Sequence, residues 1–526
     1  MMRARNGRRL GVLCGLLAGL GACAEATMDG GIPSDSQHLA VQTTQGPVRG
    51  HVQDGARAFL GVAYAAPPVG ENRFRTPQPA PLHTAVFDAS ESGPACPQLS
   101  KGKLDPGSAE DCLTLNIWAP AQPRSLRPVM VFVHGGGFNS GSGSLPLYEG
   151  TYLSRTQDVV VVTLNYRLGP LGFFGHAALR SESKEGTLNL GLLDQQAALS
   201  WVRDNIAGFG GDPKNVTLFG ESAGGMSVCY QLVSPRAAGL FHRAIVQSGP
   251  CSTLIPPSQS ASEAQGVVLS SKLGCEAGDA AATARCLRAV PLATLMTALP
   301  LKPEIIFGDG YAWTPSVGDT VLPEAPHTAL AAGRFHHMPT LVGANKDEGT
   351  AFVALGVKLD TEAEIRTALA SLFPAATVDT VIRHYGSAPI GPETGLRLLG
   401  DAFVCDARRL ARWTAAASAP TFYYHFTREF AYLLPNLGAF HGAELPYLFN
   451  TPLEFIRIQP HEEGFATQLQ GYWTRFAATG DPNGMDAVSW PAYDRSGDRS
   501  VRLDLTTRVE SGLRQSDCDF WDTLAR

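Results

Sequence analysis

Short apolar runs recur along this chain, separated by longer stretches in which apolar residues follow a helical spacing. Five of the runs are four to six residues long and rich in aliphatic residues, as buried strands are: 129–133, 159–164, 216–219, 244–247 and 340–343. After Gly191, apolar residues at positions 193, 197 and 201 predict an amphipathic helix. This alternation predicts an α/β fold with a large, mostly parallel central sheet and helices on both of its faces.

The composition is that of a soluble globular protein with a large core. The chain has 526 residues, of which 44% are hydrophobic and 17% are charged. Length alone would allow about three or four domains, but no linker, repeat or low-complexity run divides the sequence. We therefore expect residues 39–526 to form a single domain.

The N-terminal residues are typical of an export signal rather than of a folded element. Four arginines within the first nine residues precede an apolar run over 10–22, which is too short for a stable membrane anchor. The run continues into Leu-Gly-Ala-Cys at 20–23, which resembles a bacterial lipobox. On this interpretation residues 1–22 are a lipoprotein signal peptide, and Cys23 is lipid-modified and becomes the first residue of the mature chain.

The alternative is ordinary signal cleavage after Ala24 or Ala26, each of which follows small residues. On the lipoprotein interpretation, residues 23–38 form a flexible tether ahead of the folded domain. We expect a periplasmic lipoprotein tethered to the outer membrane through Cys23, or otherwise a secreted protein.

Charge and cysteine usage limit the classes of partner. The net charge is −6 and becomes more negative when the arginine-rich signal is removed, which argues against binding to nucleic acid. No C-x-x-C pair and no H-E-x-x-H motif occurs, so we expect no metal site. Two local pairs, Cys96/Cys112 and Cys275/Cys286, are spaced to close short loops in an oxidising compartment, although spacing alone does not assign the pairing.

The segment Gly-Glu-Ser-Ala-Gly at 220–224 lies between a predicted strand and a predicted helix. A serine at such a sharp strand-to-helix turn is lifted out of the sheet, and glycines two positions before and after it are needed because a Cβ there would meet neighbouring backbone. Ser222 is therefore a candidate nucleophile.

A second glycine-rich segment, His-Gly-Gly-Gly-Phe at 134–138, follows the predicted strand 129–133. Successive glycines leave backbone N–H groups free to bind an oxyanion, and the residue after the nucleophile supplies a further donor. The predicted oxyanion donors are Gly136, Gly137 and Ala223.

A serine nucleophile needs a base and an acid, which follow it in the order acid, then histidine, on this type of scaffold. Among the later histidines, His441 lies in a segment of small residues that leaves its ring accessible, whereas His425 lies in a strand-like run and is interpreted as a core histidine. The acid is Asp347 or Glu348, directly after the strand 340–343, and composition does not choose between them.

Four longer stretches carry a resemblance to a known family: 59–64, 110–118, 165–169 and 189–225. The chain resembles the type B carboxylesterases, the α/β-hydrolase group that includes bacterial para-nitrobenzyl esterases and animal cholinesterases. The resemblance covers nearly the whole mature length and implies an α/β-hydrolase fold. It also implies a triad of Ser222, Glu348 and His441, with Glu221 and Ser248 as supporting residues beside it.

The resemblance further implies three disulfides, Cys96–Cys112, Cys275–Cys286 and Cys405–Cys518, which leave Cys229 and Cys251 unpaired. Three aromatic residues are candidates for the wall of the substrate pocket: Phe138, Trp313 and Phe352. The loop between Cys96 and Cys112 has no aromatic residue on which a quaternary ammonium could rest, so a choline ester has no evident site here.

These inferences together predict a serine carboxylesterase that hydrolyses small-molecule carboxylic esters through an acyl-enzyme intermediate. No cofactor or metal is expected, and no signal in the sequence predicts an oligomeric state. Two alternatives remain open, a catalytically weak binding or adhesion protein on the same fold and a serine hydrolase that cleaves amides.

Overall fold

A computed structural model describes residues 39–122, 125–276, 278–299, 313–370, 372–386, 390–417, 419–430, 436–451, 456–485 and 487–524. The predicted signal peptide, the tether and Cys23 lie outside these residues. Within the described ranges, no helix is both long enough and apolar enough to cross a membrane.

The strands of the described residues fall into one large sheet and two small ones. In chain order they are β1 (Ala40–Gln42), β2 (Pro47–Arg49), β3 (His51–Gln53), β4 (Ala56–Ala63), β5 (Phe87–Asp88), β6 (Leu99–Ser100), β7 (Lys103–Leu104), β8 (Thr114–Pro120), β9 (Arg127–Val133), β10 (Val160–Leu164), β11 (Gly211–Glu221), β12 (Arg243–Gln247), β13 (Thr340–Asn345), β14 (Thr421–Phe426), β15 (Arg499–Leu503) and β16 (Arg508–Ser511).

The large sheet has eleven strands in the order β16-β15-β14-β13-β12-β11-β9-β10-β8-β4-β3. Neighbours from β10 through β9, β11, β12, β13 and β14 to β15 pair in parallel. The strands at both edges pair antiparallel. A mostly parallel sheet places the carboxyl ends of its central strands at one edge, where α/β proteins carry their sites.

The α-helices lie between the strands and beyond them along the chain. They are α1 (Thr151–Gln157), α2 (Gly169–Phe173), α3 (Ala177–Arg180), α4 (Leu190–Asn205), α5 (Ala223–Val233), α6 (Gln259–Lys272), α7 (Ala280–Ala289), α8 (Leu292–Thr297), α9 (Pro326–Ala331), α10 (Glu348–Ala354), α11 (Glu362–Ala370), α12 (Ala375–Tyr385), α13 (Pro392–Ala416), α14 (Leu445–Phe449), α15 (Glu463–Thr479) and α16 (Gln515–Thr523).

The core is divided by the large sheet into two apolar clusters. Alternate residues of β9 enter different clusters: Val129, Val131 and Val133 belong to one, whereas Met130 and Phe132 belong to the other. Side chains of a strand point alternately to its two faces, so a strand buried on both faces is apolar at every position. This explains why continuous apolar runs, rather than alternating ones, marked the central strands in the sequence.

The expected α/β fold is confirmed, and the five predicted strands are β9, β10, β11, β12 and β13. The strand predicted over 216–219 is longer in the structure and covers Gly211–Glu221. The helix predicted after Gly191 is α4.

The structure contains four disulfides, one more than the resemblance implied. Three join the expected pairs, Cys96–Cys112, Cys275–Cys286 and Cys405–Cys518. The fourth joins Cys229 and Cys251, so the expectation that these two residues are unpaired was wrong. The pair forms because Cys229 lies within α5 and Cys251 lies in the loop after β12, the strand against which α5 packs.

Candidate active site

Ser222 lies at the turn between β11 and α5 in a strained conformation. Its φ is 58° and its ψ is −124°, a combination that residues other than glycine rarely adopt. A Cβ on Gly224 would lie 1.9 Å from the carbonyl oxygen of Val133, and a Cβ on Gly220 would lie 2.5 Å from the carbonyl carbon of Gly224. The glycines of the motif are therefore required by close backbone contacts, and Ser222 as a whole is 6% exposed.

The glycine-rich segment after β9 packs directly against this turn. A Cβ on Gly135 would lie 2.9 Å from Cβ of Ser222. Gly136 and Gly137 have φ values of 97° and 66°, and among the described residues no hydrogen bond uses the N–H of either one. Ala223 is the first residue of α5, so its N–H has no acceptor four residues back in the same helix. In the described ranges, therefore, none of the three predicted donors uses its N–H in a hydrogen bond.

Glu348 is the first residue of α10 and is fully buried. Its Oε1 accepts hydrogen bonds from the Ser248 hydroxyl and from the Asn345 N–H, each at 2.6 Å. Its Oε2 lies 2.5 Å from Nδ1 of His441. A carboxylate at Nδ1 fixes the ring orientation and keeps the proton on Nδ1, which leaves Nε2 as the nitrogen that can accept a proton.

The neighbouring Asp347 does not contact the histidine ring and instead holds the loop that carries it. Its Oδ2 accepts a hydrogen bond of 2.9 Å from the Ala439 N–H, and its own N–H donates to the carbonyl of Ala439 at 3.0 Å. A Cβ on Gly438 would lie 2.3 Å from the same Oδ2. Of the two acids that composition left open, only Glu348 contacts His441 in this structure.

His441 is enclosed by rings and by a second carboxylate. Its ring centroid lies 4.8 Å from that of Phe352 and 5.0 Å from that of Phe403. Its Nε2 lies 3.2 Å from Oε1 of Glu221, the residue directly before Ser222. Nε2 therefore lies beside the residue that precedes the candidate nucleophile, and among the described residues it makes no hydrogen bond to Ser222.

The two carboxylates change the proton affinity of this site. Burial alone would lower the pKa of His441, but the negative charges of Glu221 and Glu348 outweigh that effect and raise the pKa to about 9. Burial raises the pKa of Glu221 to about 8, although the nearby His441 acts in the opposite direction. Glu221 and His441 are thus coupled groups, each of which favours the charged form of the other.

A third buried carboxylate, Glu444, was not identified from the sequence. Its Oε1 accepts a hydrogen bond from Gln247 at 2.9 Å and its Oε2 accepts one from Asn345 at 2.6 Å. Burial raises its pKa, partly offset by the hydrogen bond from Asn345. The available signal was an acidic residue three positions after His441, within an otherwise small and apolar segment. Phe403 was also missed, because it lies in the middle of the long helix α13.

The predicted supporting and pocket residues divide into two groups. Ser248, Glu221 and Phe352 contact members of the candidate triad, as described above. Phe138 is fully buried and its ring packs 5.4 Å from that of Phe173, while Trp313 packs 5.8 Å from Phe174. These last two aromatic residues are therefore core side chains in this structure.

His425 is buried in β14, as expected for a core histidine, but within the described part of the chain its Nε2 has no hydrogen-bond partner. In the part of the chain that the structure describes, no group of three or more His, Cys, Asp or Glu side chains is arranged to hold a metal ion.

Comparison with known proteins identifies the family. Residues 37–521 match the model of the family described as Carboxylesterase family. The chain is 36% identical over 496 residues to the para-nitrobenzyl esterase of Bacillus subtilis (strain 168), covering 90% of this chain and 96% of that protein. It is 33% identical over 538 residues to the acetylcholinesterase of Bungarus fasciatus, covering 93% of this chain and 87% of that protein.

Solved structures agree with the sequence comparison. A PNB esterase superimposes with a TM-score of 0.80 at 35% identity, covering 91% of this chain and 100% of that one. A thermophilic PNB esterase superimposes with a TM-score of 0.81 at 35% identity, covering 92% and 99%. Since these matches extend over the fold and the candidate site alike, this chain belongs to the carboxylesterase family.

Proposed function

We propose that this serine carboxylesterase works through an acyl-enzyme intermediate on Ser222. The hydroxyl of Ser222 attacks the ester carbonyl while Nε2 of His441 accepts its proton. Glu348 orients the imidazole through Nδ1 and stabilises the imidazolium that forms. The observation that supports this most directly is the 2.5 Å contact between Glu348 and Nδ1, with Nε2 beside Glu221, the residue that precedes Ser222.

The N–H groups of Gly136, Gly137 and Ala223 are proposed to donate hydrogen bonds to the carbonyl oxygen and to stabilise the negative charge that develops on it. These donors are fixed by the backbone and need no reorganisation during the reaction. Loss of one oxyanion donor typically costs about 3 kcal/mol of transition-state stabilisation. His441 then returns its proton to the leaving alcohol, and water repeats the two steps to release the acid. The scheme uses no metal ion and no organic cofactor.

Covalent labelling tests the identity of the nucleophile. A fluorophosphonate probe is expected to label the wild-type protein at Ser222 and to leave Ser222→Ala unlabelled. The same substitution should lower the hydrolysis of p-nitrophenyl esters by at least about a thousandfold. Labelling at another serine, or intact activity of Ser222→Ala, would refute the assignment. A folded wild-type protein that neither labels nor hydrolyses would favour the binding or adhesion alternative.

The substrate is proposed to be a small, uncharged carboxylic ester. One relative is named a para-nitrobenzyl esterase, so p-nitrobenzyl and p-nitrophenyl esters of graded acyl length form the first panel. Turnover of a matched anilide at the rate of the ester would favour the amide-cleaving alternative. The loop that Cys96 and Cys112 close contains the short pair β6 and β7 and no aromatic residue, so acetylcholine is expected to be a poor substrate.

We also propose that the chain is an exported protein. The four disulfides support an oxidising compartment. On the lipoprotein interpretation, residues 1–22 are removed and Cys23 anchors the protein to the outer membrane of a bacterium. Metabolic labelling with a palmitate analogue, compared between the wild type and Cys23→Ala, tests this anchor. Unlabelled wild-type protein with a cleaved N-terminus would support ordinary secretion instead.

A further inference from the structure

The disulfide between Cys229 and Cys251 joins the two parts of the chain that meet at the candidate active site. Cys229 lies in α5, the helix that begins directly after Ser222. Cys251 lies three residues after Ser248, whose hydroxyl donates to Glu348. The cross-link therefore connects the helix of the nucleophile to the loop that supports the acid of the triad.

This loop also packs against α5 without space for side chains. A Cβ on Gly249 would lie 2.6 Å from the carbonyl carbon of Gly225, and a Cβ on Gly225 would lie 3.0 Å from the Cα of Gly249. Gly225 and Cys229 are four residues apart and thus lie on the same face of α5. The loop is held along that face at two successive points, first by backbone contact and then by a covalent bond.

Ser248 is strained and depends on such support. Its φ is 49°, in the left-handed region that residues other than glycine seldom occupy. Its N–H donates to the carbonyl of Gly343 at 2.9 Å, and its hydroxyl lies 2.6 Å from Oε1 of Glu348. Strained residues at functional sites persist only where the surrounding structure determines them strongly.

The other side of the loop is anchored to α13. Oδ2 of the buried Asp406 accepts hydrogen bonds from the N–H groups of Ser252 and Thr253, at 2.9 and 2.5 Å. It also accepts hydrogen bonds from both of their hydroxyls, at 2.6 and 2.8 Å. The loop that presents Ser248 is thus fixed between α5 and α13, and the disulfide is its covalent attachment to α5.

We infer that the Cys229–Cys251 disulfide is a positioning cross-link for the reaction: it keeps the Ser248 hydroxyl on Glu348 and so keeps Glu348 aligned with His441. This inference rests on the proposed function and adds to it a pair of residues that acts on the triad through Ser248. The pair is distinct from the three disulfides that the family resemblance implied.

The test is a coupling experiment with a matched control. The variants are Cys229→Ala/Cys251→Ala, Ser248→Ala and the combination of all three substitutions. The control, Cys275→Ala/Cys286→Ala, removes a disulfide whose sequence separation is 11 residues, compared with 22 for the pair in question. All are assayed for kcat, KM, the pH profile of kcat/KM and thermal unfolding with one p-nitrophenyl ester.

We expect the Cys229→Ala/Cys251→Ala variant to lose about tenfold or more in kcat with KM nearly unchanged, because small misplacements of a catalytic group reduce turnover strongly. The acid limb of its kcat/KM profile should move to lower pH, because a misaligned Glu348 stabilises the imidazolium less. Adding Ser248→Ala should cause little further loss, since both changes act through one contact. The control pair should unfold at a lower temperature with kcat within about twofold of wild type.

Three results would overturn the inference. One is a Cys229→Ala/Cys251→Ala variant that behaves like the control in kcat and pH profile. Another is a combined variant whose loss of kcat equals the product of the losses measured for Cys229→Ala/Cys251→Ala and for Ser248→Ala. A third is failure of both this variant and the volume-restoring Cys229→Val/Cys251→Ala to fold while the control folds, which would assign the cross-link a purely structural role. Absence of labelling and hydrolysis in the wild type would instead refute the proposed function, and this inference with it.

Discussion

The substitution Glu221→Gln removes a charge beside His441 while keeping the shape of the side chain. Oε1 of Glu221 lies 3.2 Å from Nε2 of His441, and both residues are buried or nearly so. The carboxylate favours the protonated imidazole, and with Glu348 it raises the pKa of His441 to about 9 against the lowering effect of burial. His441 must be neutral to accept a proton from Ser222, so a raised pKa moves the acid limb of activity to higher pH. Removing the charge should move that limb back to lower pH.

The distance sets the size of the expected shift. Two unit charges 3.2 Å apart interact by about 1.3 kcal/mol in water and about 5 kcal/mol at an effective dielectric constant of about 20. Burial raises the pKa of Glu221 itself to about 8, so at neutral pH its negative charge is only partly present. We therefore expect the removal of this charge to change the interaction energy by about 1.3 kcal/mol. This lowers the pKa of His441 by about one unit, since one pKa unit corresponds to about 1.36 kcal/mol.

The assay is the pH dependence of kcat/KM for a p-nitrophenyl ester, which reports the pKa values of the free enzyme. The midpoint of the acid limb should lie about one unit lower in Glu221→Gln than in the wild type. The control is Glu263→Gln, which removes the same charge from a partly exposed ion pair with Arg180 and should leave the midpoint unchanged. A midpoint that stays in place or rises in Glu221→Gln would refute the coupling between Glu221 and His441.

Three further substitutions test other parts of the structure. Glu348→Gln should lower kcat by about a thousandfold or more with an unchanged circular dichroism spectrum, and near-normal turnover would exclude its role. Gly224→Ala should reduce the yield of folded protein and its unfolding temperature, because the new Cβ would lie 1.9 Å from a carbonyl oxygen of β9; Gly464→Ala, with no atom within 4 Å, is the control. Asp194→Ala leaves a buried arginine unpaired and should cost about 3 to 5 kcal/mol of unfolding free energy in urea. Asp204→Ala removes one partner of the solvent-exposed pair with Arg203 and should cost less than about 1 kcal/mol of unfolding free energy. Equal losses of unfolding free energy in Asp194→Ala and Asp204→Ala would contradict this reasoning.

The sequence predicted those elements whose local pattern has a single physical explanation. A continuous aliphatic run such as 129–133 fits a strand buried on both faces, and the structure has β9 there. The glycines around Ser222 were predictable in the same way, because a sharp strand-to-helix turn excludes side chains two positions away on either side. In both cases the pattern itself is local, although the contact that excludes a Cβ at Gly224 is made with the carbonyl of Val133 in β9.

Features that depend on contacts between distant segments were not predictable in this way. The pairing of Cys229 with Cys251 requires α5 to lie against β12, which no spacing of cysteines reveals. The choice between Asp347 and Glu348 depends on which carboxylate faces a loop more than 90 residues further along the chain. Their position in the sequence places both acids just after β13. They are distinguished only by their contacts with the loop that carries His441, because Asp347 binds the backbone of that loop and Glu348 binds the imidazole.

Of the described side chains, three buried carboxylates lie around one imidazole, that of His441: Glu221 at the end of β11, Glu348 at the start of α10 and Glu444 just before α14. Glu348 is surrounded by donors from Ser248, Asn345 and His441, whereas Oε1 of Glu221 has no hydrogen-bond partner among the described residues. A buried carboxylate without donors binds a proton more readily. The two acids beside His441 are therefore not interchangeable: Glu348 is held by hydrogen bonds at Nδ1, whereas burial raises the pKa of Glu221, beside Nε2, to about 8. Glu348→Gln should therefore lower turnover because it disturbs the contact that orients the imidazole, while Glu221→Gln should mainly displace the pH profile.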